Sequence, residues 1–349
     1  LNDKIENLVP YEPISGTYDI RLDANECSLN YDDSFLNIAL DAVKKVDFNR
    51  YPDPLCLDLR KSFANFYDID YNNVTVGNGS DELIFLIESA FLKKGDRLLV
   101  ANPDFSMYEF YSSISENQCV KYLKNDDLNI DIDSLIDTIN KENIKLVIFS
   151  NPCNPTGQGV SYEDARKLVK SVDALVVLDE AYMDFWSEEN SLIKEVEDYS
   201  NLIVFRTASK AMGSAALRLG FAVANKIISK AIMAVKSPYN VNSLSQAIGT
   251  KLYENKVFLQ NRTKSIVKCT EKLYNELISI SNTTCDFKVY PTKTNFVFIK
   301  TSFGKELWEY LKSNSVVIRY MGDYIRITAG TDSEINTTIS LIKQFISER

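Results

Sequence analysis

Histidine is absent from all 349 residues of this chain. That absence excludes Ser-His-Asp and Cys-His nucleophile systems, histidine-ligated metals and H-E-x-x-H chemistry. Proton transfer near neutral pH must fall to Lys, Tyr, Asp, Glu, Cys or a bound cofactor. No C-x-x-C pair occurs among the six cysteines, Cys27, Cys56, Cys119, Cys153, Cys269 and Cys285. Scattered in this way, they read as reduced thiols of a cytoplasmic protein, with neither a disulfide frame nor a metal site. Neither G-x-x-x-x-G-K-[ST] nor G-x-G-x-x-G is present, which leaves a P-loop nucleotide and a dinucleotide without support. Apolar runs of membrane-spanning length are missing, and the first residues, Leu1-Asn2-Asp3-Lys4-Ile5-Glu6, lack a signal peptide's apolar core. The chain begins with Leu rather than Met, so a start upstream is expected. Positive charge is in deficit: the net charge is −9, which disfavours nucleic acid and membrane surfaces as partners.

What is present reads as a globular protein, 45% hydrophobic and 25% charged, and long enough to predict two lobes rather than one core. Short apolar runs alternate with longer amphipathic stretches, the pattern of an α/β fold with a mostly parallel sheet sandwiched by helices. Strands are expected at 73–76, 97–101, 145–149, 174–178, 202–205 and 219–224. A helix over 256–279 leads into a smaller α+β lobe with strands at 295–300, 316–320 and 324–328 and a final helix over 333–347. The predicted organisation is an N-terminal arm at 1–23, packed on the small lobe or a partner, a large domain at 24–255 and a small domain at 256–349.

The chemistry-bearing residues fall just past these strands. Lys210 ends the run Leu202-Ile203-Val204-Phe205-Arg206-Thr207-Ala208-Ser209-Lys210, where an α/β enzyme presents a reactive group. Asp179 and Tyr182 follow the apolar strand 174–178. A carboxylate there is costly without a cationic partner, and a protonated pyridine nitrogen is such a partner. Asp179-Glu180 also resembles a Walker B strand end, but no Walker A loop accompanies it. Thr207-Ala208-Ser209-Lys210 misses the S-x-x-K pattern by its threonine. Asn151-Pro152-Cys153-Asn154-Pro155-Thr156-Gly157 is a stiff loop able to aim Asn154. A buried carboxylate, a phenol, an amide and a lysine at strand ends describe a pyridoxal phosphate site.

Asn78-Gly79-Ser80-Asp81-Glu82 predicts a helix N-terminus capped by Ser80 and open to an anion. Arg218 could close on a phosphate held by Ser80 and Ser209. Phe105, in Asn102-Pro103-Asp104-Phe105-Ser106-Met107-Tyr108, could stack on a flat ring. If Gly322-Asp323 is a two-residue turn, Arg319 stands directly opposite Arg326. Like charges so placed favour an anion between them, such as a substrate phosphate or carboxylate.

Together these motifs resemble the fold-type I pyridoxal-phosphate-dependent aminotransferases, and within them the histidinol-phosphate aminotransferase group. The resemblance also draws on Leu22-Asp23-Ala24-Asn25-Glu26, Arg50-Tyr51-Pro52-Asp53-Pro54 and Ser237-Pro238-Tyr239-Asn240. It implies that Lys210 carries the cofactor and that Asp179 pairs with its ring nitrogen. It further implies that Tyr182 and Asn154 bond its 3-oxygen while Phe105 stacks on the ring. The backbone groups of Ser80 and Asp81, with Ser209, Arg218 and Tyr51 of the other subunit, would hold the phosphate. Arg319 and Arg326, with Tyr11 and Asn25 nearby, would grip an acidic group on a small amine substrate, and a 2-oxo acid would take up the amine. A cytoplasmic homodimer with shared active sites follows from the same resemblance. Two segments depart from the family: Asn25-Glu26-Cys27-Ser28-Leu29-Asn30 replaces Asn-Glu-Asn-Pro-Tyr-Gly, and Ala216-Leu217-Arg218 replaces Gly-Leu-Arg. An aromatic amino-acid aminotransferase and a threonine-phosphate decarboxylase of the same fold remain open alternatives.

Overall fold

Residues 202–207 and 219–224 are buried along their whole length, as continuous apolar runs must be when helices cover both faces of a sheet. They belong to a computed structural model that describes residues 14–349. The strands in chain order are β1 (Ile20–Leu22), β2 (Val74–Asn78), β3 (Arg97–Asn102), β4 (Gln118–Leu123), β5 (Leu146–Ser150), β6 (Leu175–Asp179), β7 (Leu202–Thr207) and β8 (Leu219–Ala224), then β9 (Lys288–Val289), β10 (Phe296–Lys300), β11 (Val316–Met321) and β12 (Tyr324–Thr328).

The large sheet has seven strands in the order β2-β8-β7-β6-β5-β3-β4. Its pairs from β4 across to β7 are parallel, and only β8 runs against its neighbours β7 and β2. The mostly parallel α/β architecture is therefore present. Sequence reading misses β4 because it lies at the sheet edge and carries Gln118 and Lys121 among half-exposed positions; edge strands tolerate that polarity. Asn73 was placed in a strand but sits in a 3-10 turn, Tyr71–Asn73. Its buried amide donates to the Ala224 carbonyl at 2.8 Å and so ties the turn to the end of β8.

The second sheet has the order β1-β11-β12-β10-β9. β1 adds in parallel to β11, with Ile20 opposite Val316 and Leu22 opposite Ile318, so residues 20–22 of the arm join the small lobe. The helix Lys256–Ser281 serves both lobes. Leu259 and Ile266 enter the large core, and Leu273, Leu277 and Ile280 enter the small one.

One polar cluster is built into the large core. Arg206, on β7, lies 2.9 Å from Glu180 and 3.1 Å from Asp184. The Tyr67 hydroxyl donates to Asp184 at 2.9 Å, and the guanidinium lies 4.9 Å from the Tyr67 ring centre. Burial pushes the Glu180 carboxyl up to about 7, against the pull of Arg206. Burial also opposes the charge on Arg206, but Asp184 and Glu180 together hold the guanidinium protonated. Removing one member of such a cluster strands the others without water. Arg206→Met should therefore cost about 3–5 kcal/mol of stability, read as a lowered urea midpoint. A loss below about 1 kcal/mol would show the cluster to be dispensable.

Candidate active site

Parallel strands end on one edge, so β3, β5, β6 and β7 deliver the segments that follow them to the same side of the sheet. β2, antiparallel to β8, also ends there, and β8 begins there. Asn78-Gly79, Phe105, Asn154, Asp179, Lys210 and Arg218 are brought together by that geometry alone.

Asp179, the last residue of β6, is buried. Its Oδ2 accepts from the Tyr108 hydroxyl at 2.7 Å and its Oδ1 from the Ala181 N–H at 3.1 Å. Burial raises its pKa to about 6, against both hydrogen bonds. Among the described residues no cation pairs with it. This is the electrostatic situation in which a protonated ring nitrogen would be held. Tyr108, itself pushed far up by burial and by Asp179, stays a neutral donor.

The loop after β5 is fixed by its own polar groups. Asn151 exchanges hydrogen bonds with the Val160 backbone, at 2.8 and 3.2 Å, and the Asn154 N–H donates to Ser150 Oγ at 2.9 Å. Asn154 Oδ1 then accepts from Arg326 of β12, whose other terminal nitrogen donates to the Asp23 carbonyl at 2.7 Å. Asn25 completes the link between lobes. Its Nδ2 donates to Tyr182 Oη at 2.8 Å, and its backbone N–H donates to Thr328 Oγ1 at 3.1 Å. Its carbonyl accepts from the Asn295 amide at 3.2 Å. Its φ of 56° lies in the left-handed region, which Asn tolerates better than most residues.

Lys210 follows a chain segment pinned to β8. Thr207 Oγ1 accepts the Ser209 N–H at 3.1 Å, and the Ala208 N–H donates to the Leu219 carbonyl at 3.0 Å. Nζ donates to the Ala24 carbonyl at 3.3 Å and stands 5.8 Å from the Tyr182 ring centre.

An anion cradle lies beside it. The helix Ser80–Phe91 is capped by Gly79 at φ 85°, without a side-chain cap. Ser80 is thus its first helical residue and not the expected cap, because the sharp turn out of β2 needs a positive φ that Gly adopts freely. The first-turn N–H groups point out of the helix end, where an anion is favoured. A Cβ on Gly79 would meet the Arg218 guanidinium at 2.5 Å, and one on Gly220 would meet the Gly79 carbonyl carbon at 2.4 Å and the Ser80 nitrogen at 2.5 Å. Arg218 lies over the cradle, 3.3 Å from Asp81.

The chain matches the aminotransferase class I and II family over residues 18–342. It belongs to that family. A Clostridium novyi histidinol-phosphate aminotransferase is 38% identical over 344 residues, spanning 97% of this chain and 95% of that protein. A Clostridium kluyveri histidinol-phosphate aminotransferase is 37% identical over 350 residues, spanning 98% and 97%. In fold, the chain is similar to the Sinorhizobium meliloti histidinol-phosphate aminotransferase solved with pyridoxal-5'-phosphate, at TM-score 0.90 and 22% identity, covering 100% of this chain and 98% of that one.

Within this aminotransferase, Tyr51 is 81% exposed and stacks on Tyr239 at 4.6 Å between ring centres. Tyr11 lies outside the described residues. Phe105 is half-buried and meets Tyr108 edge-on at 5.5 Å. The Gly322-Asp323 turn forms, with Met321 opposite Tyr324 and Arg319 opposite Arg326. Sequence reasoning missed Tyr108. Its spacing of one helical turn from Phe105 is the signal that both could face one site.

Two outcomes follow. Gly220→Ala should displace the Ser80 N–H and weaken pyridoxal phosphate binding roughly tenfold or more, measured by absorbance titration; unchanged affinity would remove this cradle from consideration. In the cofactor-free protein, the raised pKa of Asp179 favours folding at low pH, and that contribution is lost as pH rises from about 4 through about 6. Asp179→Asn should therefore match the cofactor-free wild type near the acid end. Above pH 6 it should exceed it by up to roughly 3 kcal/mol, seen as a higher melting temperature at pH 8 only.

Proposed function

We propose that this aminotransferase binds pyridoxal phosphate at the sheet edge and transfers the amino group of histidinol phosphate to 2-oxoglutarate. The observation that carries the substrate is Arg319 opposite Arg326, with Arg326 reaching Asn154 beside the cofactor site. Two guanidinium groups at one position suit a phosphate monoester, and the relatives at 37–38% identity bear that substrate's name.

The fit to the cofactor rests on the buried Asp179 without a cation and on the glycine-lined cradle under Arg218. Lys210 Nζ is the attachment point. Asp179 would hold the ring nitrogen, Tyr182 and Asn154 the ring oxygen, and Phe105 would cover the ring. The phosphate would fall to the backbone groups of Ser80 and Asp81, to Ser209 and to Arg218, joined by Tyr51 of the partner subunit in a homodimer, which would give the exposed Tyr51 a role. When bound, pyridoxal phosphate supplies an aldehyde for the substrate amine and a ring that withdraws electrons from the α carbon. Asp179 keeps the ring nitrogen charged for that purpose. Lys210 Nζ would be the base that takes the α-carbon proton and gives it back. The Ala24 carbonyl and the Tyr182 ring keep that amine at the reacting edge. Asn25 orients Tyr182, and Arg319 and Arg326 anchor the substrate's far end, so most of the substrate's binding freedom is removed before the proton moves. Residence in the cytoplasm is part of the same reading.

A panel of histidinol phosphate, aromatic amino acids and threonine phosphate, each with 2-oxoglutarate, tests it. Glutamate formation should be fastest with histidinol phosphate, and Lys210→Ala should lower that rate by at least about 10³-fold. Arg319→Ala should raise KM about 10- to 100-fold for phosphorylated amines, with a smaller effect on unphosphorylated ones. Carbon dioxide release from threonine phosphate without a keto acid would overturn the assignment in favour of decarboxylation.

A further inference from the structure

We propose that Cys153 and Lys124 form a reversible covalent sulfur–nitrogen link when this enzyme meets a peroxide. Lys124 follows β4, and Cys153 lies in the loop after β5. The Lys124 side chain is 1% exposed. Its Nζ donates to the Pro103 carbonyl at 2.7 Å and to Cys153 Sγ at 2.9 Å, and lies 3.6 Å from the buried Asp104 carboxylate. Burial opposes its charge, but Cys153 and Asp104 together hold it protonated. The buried amine and the sulfur are thus in direct hydrogen-bond contact, so a sulfur oxidised there has a nitrogen nucleophile already beside it.

Access is provided by a cavity of about 230 Å³. Lys124, Cys153, Leu128, Ile130, Gly159 and Asp164 are among its walls. A water molecule occupies about 30 Å³, so a peroxide has room to enter. Cys153 is buried with a lysine amine on its sulfur, whereas Cys285 is exposed.

The reaction balances in two steps. Cys153 sulfur attacks one peroxide oxygen: an S–O bond forms, the O–O bond breaks, and hydroxide leaves and is protonated to water. Sulfur is oxidised by two electrons and the peroxide is reduced. The Lys124 amine, having passed a proton to the departing oxygen, then attacks the sulfenic sulfur. An N–S bond forms, the S–O bond breaks, and a second water leaves without further oxidation. One thiol, one amine and one hydrogen peroxide become one sulfenamide and two waters. A covalent S–N bond is far shorter than 2.9 Å, so the link draws Cys153 toward Lys124 and shifts its neighbour Asn154. It also protects the sulfur from irreversible oxidation.

The test uses purified, cofactor-loaded enzyme treated with hydrogen peroxide, digested with trypsin and read by mass spectrometry. The expected product is one peptide pair joined through Lys124 and Cys153, about 2 Da lighter than the two peptides together. It should be uncut after Lys124, released by dithiothreitol and absent from Cys153→Ser. Sulfinic acid at Cys153 with Lys124 unmodified would overturn the proposal, as would an intact Cys153 while Cys285 oxidises. Lys124→Arg keeps a cation beside the thiol but cannot form this amine link, and it should raise the sulfinic fraction at Cys153 several-fold. If that variant fails to fold, the wild type and Cys153→Ser still decide the outcome.

Discussion

Parallel strands all end on one edge of a sheet, and the chemistry of this protein depends on that constraint. β3, β5, β6 and β7 are parallel neighbours, so segments far apart in the chain open onto one line. The lone antiparallel strand β8 contributes by its start rather than its end. Arg218 just precedes it, and Gly220 packs against the Gly79-Ser80 backbone that leaves β2. A β8 running the other way would place Arg218 on the opposite edge, leaving the cradle without its cation. The single reversed strand is thus part of the site's construction.

The same edge concentrates electrostatic cost. Asp179 and Glu180 are adjacent buried carboxyl groups, and they are treated differently. Glu180 has an internal cation, Arg206 at 2.9 Å, and belongs to the scaffold. Among the described residues Asp179 has only neutral donors, Tyr108 and the Ala181 N–H. A scaffold that neutralised both would be more stable before the cofactor arrives, but it would have nothing to offer a cationic ring. In the proposed reading, the asymmetry between two successive residues separates what holds the fold from what would hold the ligand.

Much of this was legible in the sequence, for physical reasons that also explain the gaps. β5 to β8 announce themselves because burial on both faces demands unbroken apolar runs. Asp179 and Lys210 stand out because polar groups that end such runs need a purpose. The hairpin register was readable because a two-residue turn leaves no freedom in pairing. β4 and β1 were not legible, since an edge strand and a three-residue strand carry too little alternation to register. Ser80 was misread as a cap because its side chain suits that position, whereas the turn's positive φ gives the place to Gly79. Tyr108 and Asn295 were missed because their partners, Asp179 and the Asn25 carbonyl, come from distant segments. Tertiary hydrogen bonds leave no local spacing to read.

In the proposed reading, Arg326 makes substrate recognition and cofactor orientation one problem. Its guanidinium donates to Asn154 in the large lobe and to the Asp23 carbonyl next to β1, and it lies 5.3 Å from the Phe296 ring centre. An acidic group arriving between Arg319 and Arg326 competes with the Asn154 amide oxygen for the same N–H groups. An anion is the stronger acceptor, so in the proposed reading its arrival would weaken Asn154's hold on Arg326 and leave the amide free to turn toward the cofactor ring. Binding at the far end of the substrate would thereby be coupled to the group that orients the reacting end. A neutral substrate of equal size would fill the space without releasing the amide. Discrimination of that kind acts on the reaction step as well as on affinity.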